Sequence, residues 1–336
     1  MEVHPQRLAA LRRFVAGALA REDAALEPAS SDASFRSYWR VRAGAASYVA
    51  MDAPPDRENV APWLDIGARL RSAGLHAPEV FAADEAQGFV LMEDLGTCDY
   101  LSALDATSAD ALYAEALDAI VRMQRIDTAG LPAFDEAFIT AELELMPEWF
   151  LRRHLGHAVD CDEWDVIELA FRHLITAANA QPRAFMHRDY HSRNLMRVAA
   201  DPPGIIDFQG AMSGPVAYDA ASLLRDCYVD WEDERVEGWA EGFRVRLRHA
   251  HLLGADIDAQ RFMRWFDLAG LQRHLKVLGI FCRLWYRDGK RGYLADLPRV
   301  LGYVLTVARC YPELAGLAAL IERCVGERDI TTPAAA

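Results

Sequence analysis

The chain has 336 residues, 52% hydrophobic and 26% charged, a composition that excludes a disordered or fibrous protein and fits one large domain or two lobes. With 50 acidic against 36 basic residues the net charge is −14, which argues against a nucleic-acid coat or a basic membrane anchor. No apolar run approaches the roughly 20 residues of a membrane span, MEVHPQRLAALRRF lacks a short apolar stretch with a cleavage site, and the six cysteines form no CxxC pair. A cytoplasmic protein with reduced thiols is expected, with no nucleic-acid and no membrane partner.

Residues 5–26 carry Leu8, Leu11, Val15 and Leu19 at helical spacing, which predicts an amphipathic helix ended by Pro28. SDASFRSYWRV alternates, with Phe35, Trp39 and Val41 on one face and Arg36, Tyr38 and Arg40 on the other, as in a strand with one buried side. SYVAMDAPP is a second strand stopped by prolines, reached through a turn after Gly44. A helix from Asn59 to Ala73 closes at Gly74, and short strands at Pro78–Ala83 and Phe89–Met92 flank Gln87-Gly88. Beyond Gly96 the pattern turns helical: Ser108 to Ile126 with Ser108 as N-cap, then 141–155, 163–180, 216–228, 233–253, 258–285 and 296–309. Residues 183–210 break this run with short strands and loops. The tail TTPAAA is expected to fray.

The exceptional segment holds His187-Arg188-Asp189, then Asn194, then Asp207 after the apolar pair Ile205-Ile206. Phosphoryl transfer from ATP needs a carboxylate facing the attacking hydroxyl and hard oxygen ligands for magnesium on the triphosphate. The spacing H-R-D-x-x-x-x-N with a strand-end Asp supplies both: Asp189 for the hydroxyl, Asn194 and Asp207 for the metal, two ions being expected.

HRDYHSRN, IIDFQGA and GPVAYDAASLLRD resemble the aminoglycoside phosphotransferase-like branch of the kinase fold. The resemblance implies an α+β, protein-kinase-like, two-lobed fold: a small antiparallel-sheet N-lobe over residues 1–95, a larger, mainly helical C-lobe over 96–330, and a frayed tail at 331–336. It further implies ATP between the lobes, with VLMEDLG as the hinge: backbone around Glu93, Asp94 and Leu95 at the adenine and Met92 behind it. SDASFRSYWRV, MDAPPDRENV, MPEWFLRRHLG, LLRDCY and GLQRHLKVLGIF are similar to the anomeric N-acetylmuramate/N-acetylglucosamine kinases of bacterial cell-wall recycling. The similarity runs from about residue 5 to residue 314, and it implies a sugar 1-kinase making the α-1-phosphate; a monomer is expected. By the same resemblance Asp219 holds the catalytic loop, although N-capping explains it as well. Arg188 pairs with a nearby carboxylate, and His187 packs beneath the loop.

The chain departs from kinases in one respect. Residues 28–43 contain no glycine, no lysine precedes Lys276, and Met51 stands where the strand lysine is expected. Backbone groups of Ser31, Ala33 and Ser34 could approach phosphate, with Arg36 or Arg40 as the cation. Glu58 and Asp65 are the candidates for its acidic partner. For the sugar, Glu142, Trp149, His191, Gln209, Arg225 and Asp226 are the candidates, with Arg225 or Arg273 for the lactyl carboxylate of N-acetylmuramate. Two other readings remain open. The acidic run from Asp226 through Asp230 to Glu237 suits a kinase of a cationic small molecule such as an aminoglycoside or choline, and the missing lysine suits a nucleotide-binding pseudokinase.

Overall fold

The computed structural model describes residues 5–31 and 35–333. They form two compact units. One comprises the described residues to Ala103 with Arg193–Gln209; the other comprises Leu104–Ser192 with those from Gly210 onward.

The first unit is built on a five-stranded sheet. Its elements are α1 (Pro5–Leu19), β1 (Ala25–Ser31), β2 (Ser37–Ala43), β3 (Ala46–Asp52), α2 (Ala61–Ser72), β4 (Val80–Asp84), β5 (Phe89–Glu93) and α3 (Tyr100–Ala103). The strands lie in the order β1-β2-β3-β5-β4, all pairs antiparallel. Ala43 pairs with Ala46, leaving Gly44-Ala45 as a two-residue turn in which Gly44 takes φ +67°, the left-handed backbone such hairpins need. Alternation then sorts the side chains. Trp39, Val41, Ala50, Phe89 and Leu91 meet Leu11 and Val15 of α1. Arg40, Val49 and Met92 form a cross-strand row on the opposite face.

Three expectations are corrected in this unit. The first helix ends at Leu19, not near residue 26. Ala25–Ser31 pairs with β2 as an edge strand, and Pro28 sits where the register shifts, a place where its missing N–H is tolerated. Phe35 precedes β2 and is 48% exposed, covered on one side by the Arg57 guanidinium 4.7 Å from its ring centre.

The second unit is mainly helical: α4 (Ala109–Met123), α5 (Glu136–Leu143), a π-helical segment Met146–His154, α6 (Cys161–Asn179), α7 (Tyr218–Leu224), α8 (Asp233–His249), α9 (Ala259–Tyr286), α10 (Leu297–Cys310) and α11 (Ala315–Val325). Arg183–Met186 pairs antiparallel with Met212–Pro215. Acidic caps start several helices; Asp160 and Glu163 complete a capping box on α6. Ser108 makes no side-chain cap on α4; its own N–H goes to Asp105, 2.9 Å away. The single helix expected over 141–155 is two pieces. Pro147, in the first turn of the second piece, has no N–H to continue the first. A Cβ at Gly279 of α9 would lie 2.3 Å from the Leu145 carbonyl, so only glycine allows α9 this close to the junction.

Candidate active site

In the first unit a cavity of about 430 Å³ opens on the polar face of the sheet. Its walls include Arg40, Val49, Met92 to Thr97, Trp63, Asn194, Met196 and Ile206 to Phe208. Thus Met92, Glu93, Asp94 and Leu95 all line it. The turn after β5 is tied down by Arg40, which donates to both Asp94 carboxylate oxygens (2.7 and 3.1 Å) and to the Gly96 carbonyl (3.0 Å). Ser47 adds a hydroxyl bond to Asp94. Burial pushes the Asp94 carboxyl up, but Arg40 and Ser47 outweigh it and hold the group below the usual range.

Asn194 and Asp207 come together on the floor of this cavity. Leu195–Met196 pairs with Gly204–Ile205, and the Ile206 N–H donates to the Asn194 carbonyl at 3.1 Å. The Asn194 amide nitrogen is then 3.5 Å from an Asp207 oxygen. The other Asp207 oxygen accepts from Gln209 at 2.7 Å and lies 3.6 Å from the buried Arg36 guanidinium. Asp207 has φ +60°, a strained conformation costing about 1–3 kcal/mol. Gln209, expected at the substrate, instead contacts Asp207, and its Oε1 is a buried oxygen with no hydrogen-bond partner among the described residues. A carboxylate, a carboxamide and an orphaned oxygen are the hard donor set that magnesium takes.

Arg40 and Arg36, the two cation candidates, have separated: Arg40 secures the turn after β5 and Arg36 faces Asp207. Ala33 and Ser34 lie outside the described residues, as do Asp32 and the end of the tail, 334–336; the backbone of Ser31 belongs to β1. Of the two acids expected to link α2 to the cation, Glu58 precedes the helix and Asp65 lies on it. Asp65 bonds Arg69 at 3.0 Å. The link is apolar instead: the Trp63 and Phe208 rings meet at a 35° tilt with centres 5.1 Å apart, and a Cβ on Gly67 would reach 3.2 Å from the Phe208 ring. Gly67→Val therefore crowds Phe208, and a stability loss of about 1–3 kcal/mol is expected, measured as a lowered Tm by calorimetry. An unchanged Tm would show that Phe208 has room to move.

The loop His187–Ser192 belongs to the second unit. It is held at both ends by carboxylates, Asp219 in the first turn of α7 and Asp226 just beyond that helix. Asp219, fully buried, accepts the His187 N–H at 2.7 Å and the Arg188 N–H at 2.9 Å. Asp226 accepts the Ser192 N–H at 2.9 Å and the Ser192 hydroxyl. Burial pushes Asp219 up to about 7, against the pull of those two N–H groups. Arg188 has φ +76°, and its guanidinium donates to Glu142 at 2.9 and 3.2 Å. Buried His187 packs on Tyr190, whose hydroxyl donates to the Ala116 carbonyl. Asp189 is half-buried. Burial raises its carboxyl, but Lys276, Arg188, His191 and Arg273 outweigh this and bring it down to about 2.

The remaining candidates are spread through this unit. Glu142 is buried under Arg188, Lys276 and Gln272. Arg225 pairs with Asp267 at 2.6 Å, and Arg273 donates to the Cys227 sulfur. Asp226 is buried with Ser192, whereas Asp230 is exposed and accepts from the Tyr303 hydroxyl. Half-buried His191 meets Tyr228 edge-on, and Trp149 carries Arg153 over its ring. Sequence reasoning did not find the Arg40–Asp94 clamp or the roles of Asp226 and Lys276. The one available signal was a lysine set among the leucines of α9 in a chain with two lysines.

A profile of the phosphotransferase enzyme family matches residues 25–276. The chain is 44% identical over 298 residues to the N-acetylmuramate/N-acetylglucosamine kinase of Pseudomonas putida, covering 88% of this chain and 87% of that one. It is 38% identical over 333 residues to the kinase of the same name from Neisseria meningitidis, covering 97% and 98%. Among solved structures it resembles ADP-bound aminoglycoside phosphotransferase APH(2'')-Ib, with a TM-score of 0.60 at 13% identity over 90% of this chain and 98% of that one. The fold is the α+β, protein-kinase-like fold expected from the sequence.

Proposed function

The chain belongs to the phosphotransferase enzyme family, and from that premise we propose that it is an ATP-dependent sugar 1-kinase, phosphorylating the anomeric hydroxyl of N-acetylmuramate, N-acetylglucosamine or both for reuse of cell-wall sugars. The observation that carries the substrate class is the 38–44% identity, over nearly nine-tenths of the chain or more, to kinases of that name. No described helix is long and apolar enough to cross a membrane. We take the enzyme to act as a monomer in the cytoplasm.

In this reading ATP enters the cavity of the first unit, its adenine against Met92 and the Glu93–Leu95 backbone. Arg36 takes the place of the absent strand lysine toward the phosphates, since Arg40 is engaged at the turn. Asp207 and Asn194, with Gln209 beside them, would hold magnesium, which when bound neutralises triphosphate charge. Asp189 accepts a hydrogen bond from the anomeric hydroxyl and aims its oxygen at the γ-phosphorus. The new O–P bond forms as the bond from the γ-phosphorus to the β,γ-bridging oxygen breaks, leaving ADP. Asp189, kept ionised by Lys276 and Arg188, orients the hydroxyl and takes up its proton late, as the O–P bond completes, in keeping with a loose transition state. On the acceptor side we keep His191 and Trp149, and assign Glu142, Arg225 and Asp226 to internal support.

ADP release with magnesium-ATP and each of N-acetylmuramate, N-acetylglucosamine, an aminoglycoside and choline tests the reading. Turnover of an amino sugar is expected. Turnover of a cation alone would move the enzyme to another acceptor class, and silence on all four would favour a binding module.

A further inference from the structure

Lysine is almost never fully buried without a partner. Lys276 nonetheless lies near the middle of α9, 3% exposed, one of two lysines in the chain. Taking such a charge out of water costs several kcal/mol unless it is well paired. Its partner is Glu142, whose Oε1 is 3.1 Å from the ammonium. That same oxygen accepts from Arg188, while Oε2 accepts from Gln272, one turn earlier on α9, at 3.1 Å. The close approach of α9 at Gly279 to Leu145 brings the end of α5 into this reach. Arg188 is thereby held twice: its strained backbone by Asp219, its guanidinium by Glu142. Two cations and one carboxylate leave a single positive charge, and the next residue in the chain, Asp189, supplies the matching negative one.

We propose that Lys276 is a positioning residue: by securing Glu142 it fixes Arg188, and through Arg188 it sets the placement of Asp189. The inference rests on the role given to Asp189 in the proposed function. The charged and titratable groups acting on Asp189 are Arg188 and His191 from the loop, Lys276 and Arg273 from α9, and Tyr218 and Asp219 from α7. Lys276 is the strongest of those favouring its ionised form, so losing Lys276 raises the Asp189 carboxyl.

The test compares the full-length wild type with Lys276→Met, Lys276→Arg and the double variant Lys276→Met/Glu142→Gln. For Lys276→Met, kcat is expected to fall about 10–100-fold, with KM for ATP within twofold, because the ATP cavity is lined by other residues. The acid limb of kcat should move to higher pH. Lys276→Arg should recover most of the loss. The double variant removes both buried charges, so its Tm should return toward wild type while kcat stays low. The proposal is overturned if Lys276→Met keeps wild-type kcat and acid limb, or if kcat recovers together with Tm in the double variant, which is what a purely structural pair would do. Should Lys276→Met fail to fold, the double variant decides the matter alone. A wild type that phosphorylates no amino sugar would sink the substrate assignment instead; the comparison is then made on ATP hydrolysis to water.

Discussion

Asp189→Asn is expected to lower kcat for the sugar by about 10³-fold or more, while KM for ATP stays within a few-fold of wild type. Asparagine keeps the size of the side chain but removes the negative charge that draws the hydroxyl proton, and it presents an amide where a pure acceptor is needed. The structure adds an expectation about stability. Asp189 balances the charge left over by Arg188, Lys276 and Glu142, so neutralising it leaves a buried cation short of a partner, and Tm should fall. The pH dependence has a definite sign. The Asp189 carboxyl is depressed to about 2 from an unfolded value near 4. Its contribution to stability is therefore fully present above the unfolded value and is lost as pH falls from there toward 2. The Tm gap between wild type and variant should narrow as pH falls below 4, under the range in which Asp219 titrates. A variant with higher Tm than the wild type, or a gap that widens below pH 4, would contradict this account.

Asp207→Asn should be nearly as damaging, with a loss of about 10²–10³-fold in kcat, but through a different route. Asp207 is the charged member of the donor set with Asn194 and Gln209, and it faces the buried Arg36. Without its charge the site has lost its main attraction for magnesium and Arg36 has lost a counter-ion. Calorimetric titration separates these effects from nucleotide recognition. ADP without magnesium should bind within a few-fold of wild type, since the walls from Arg40 to Thr97 are untouched. The gain in affinity that magnesium gives the wild type should disappear. If magnesium still strengthened ADP binding to the variant by the wild-type factor, Asp207 would not be the metal carboxylate.

What could be read from the sequence was what the chain encodes locally. The alternation of Tyr38, Trp39, Arg40 and Val41 placed β2 and both of its faces, because neighbouring side chains in a strand must point opposite ways. The same rule failed at Phe35, which lies just before the paired residues. β1 was hidden by Pro28, which stops a helix but is tolerated in an edge strand at a bulge. The spacing of Asp189, Asn194 and Asp207 was legible because the hairpin joining the last two is short. Glu142, by contrast, is 46 residues from Arg188 and 130 from Gln272. Nothing in either segment alone announces that helix packing at Gly279 brings them together. Asp226 and Arg225 looked like substrate contacts because they are polar and follow Asp219; tertiary packing gave them internal partners at Ser192 and Asp267.

The most direct test of the central claim is the position of the phosphate on the product. Phosphorus–proton coupled NMR of the product formed from N-acetylmuramate or N-acetylglucosamine with magnesium-ATP should show phosphorus coupled to the anomeric proton, in the α configuration, with that product forming about 10³-fold more slowly with Asp189→Asn. Phosphorus coupled to the C6 protons, or the anomeric phosphate formed at an undiminished rate by the variant, would contradict it.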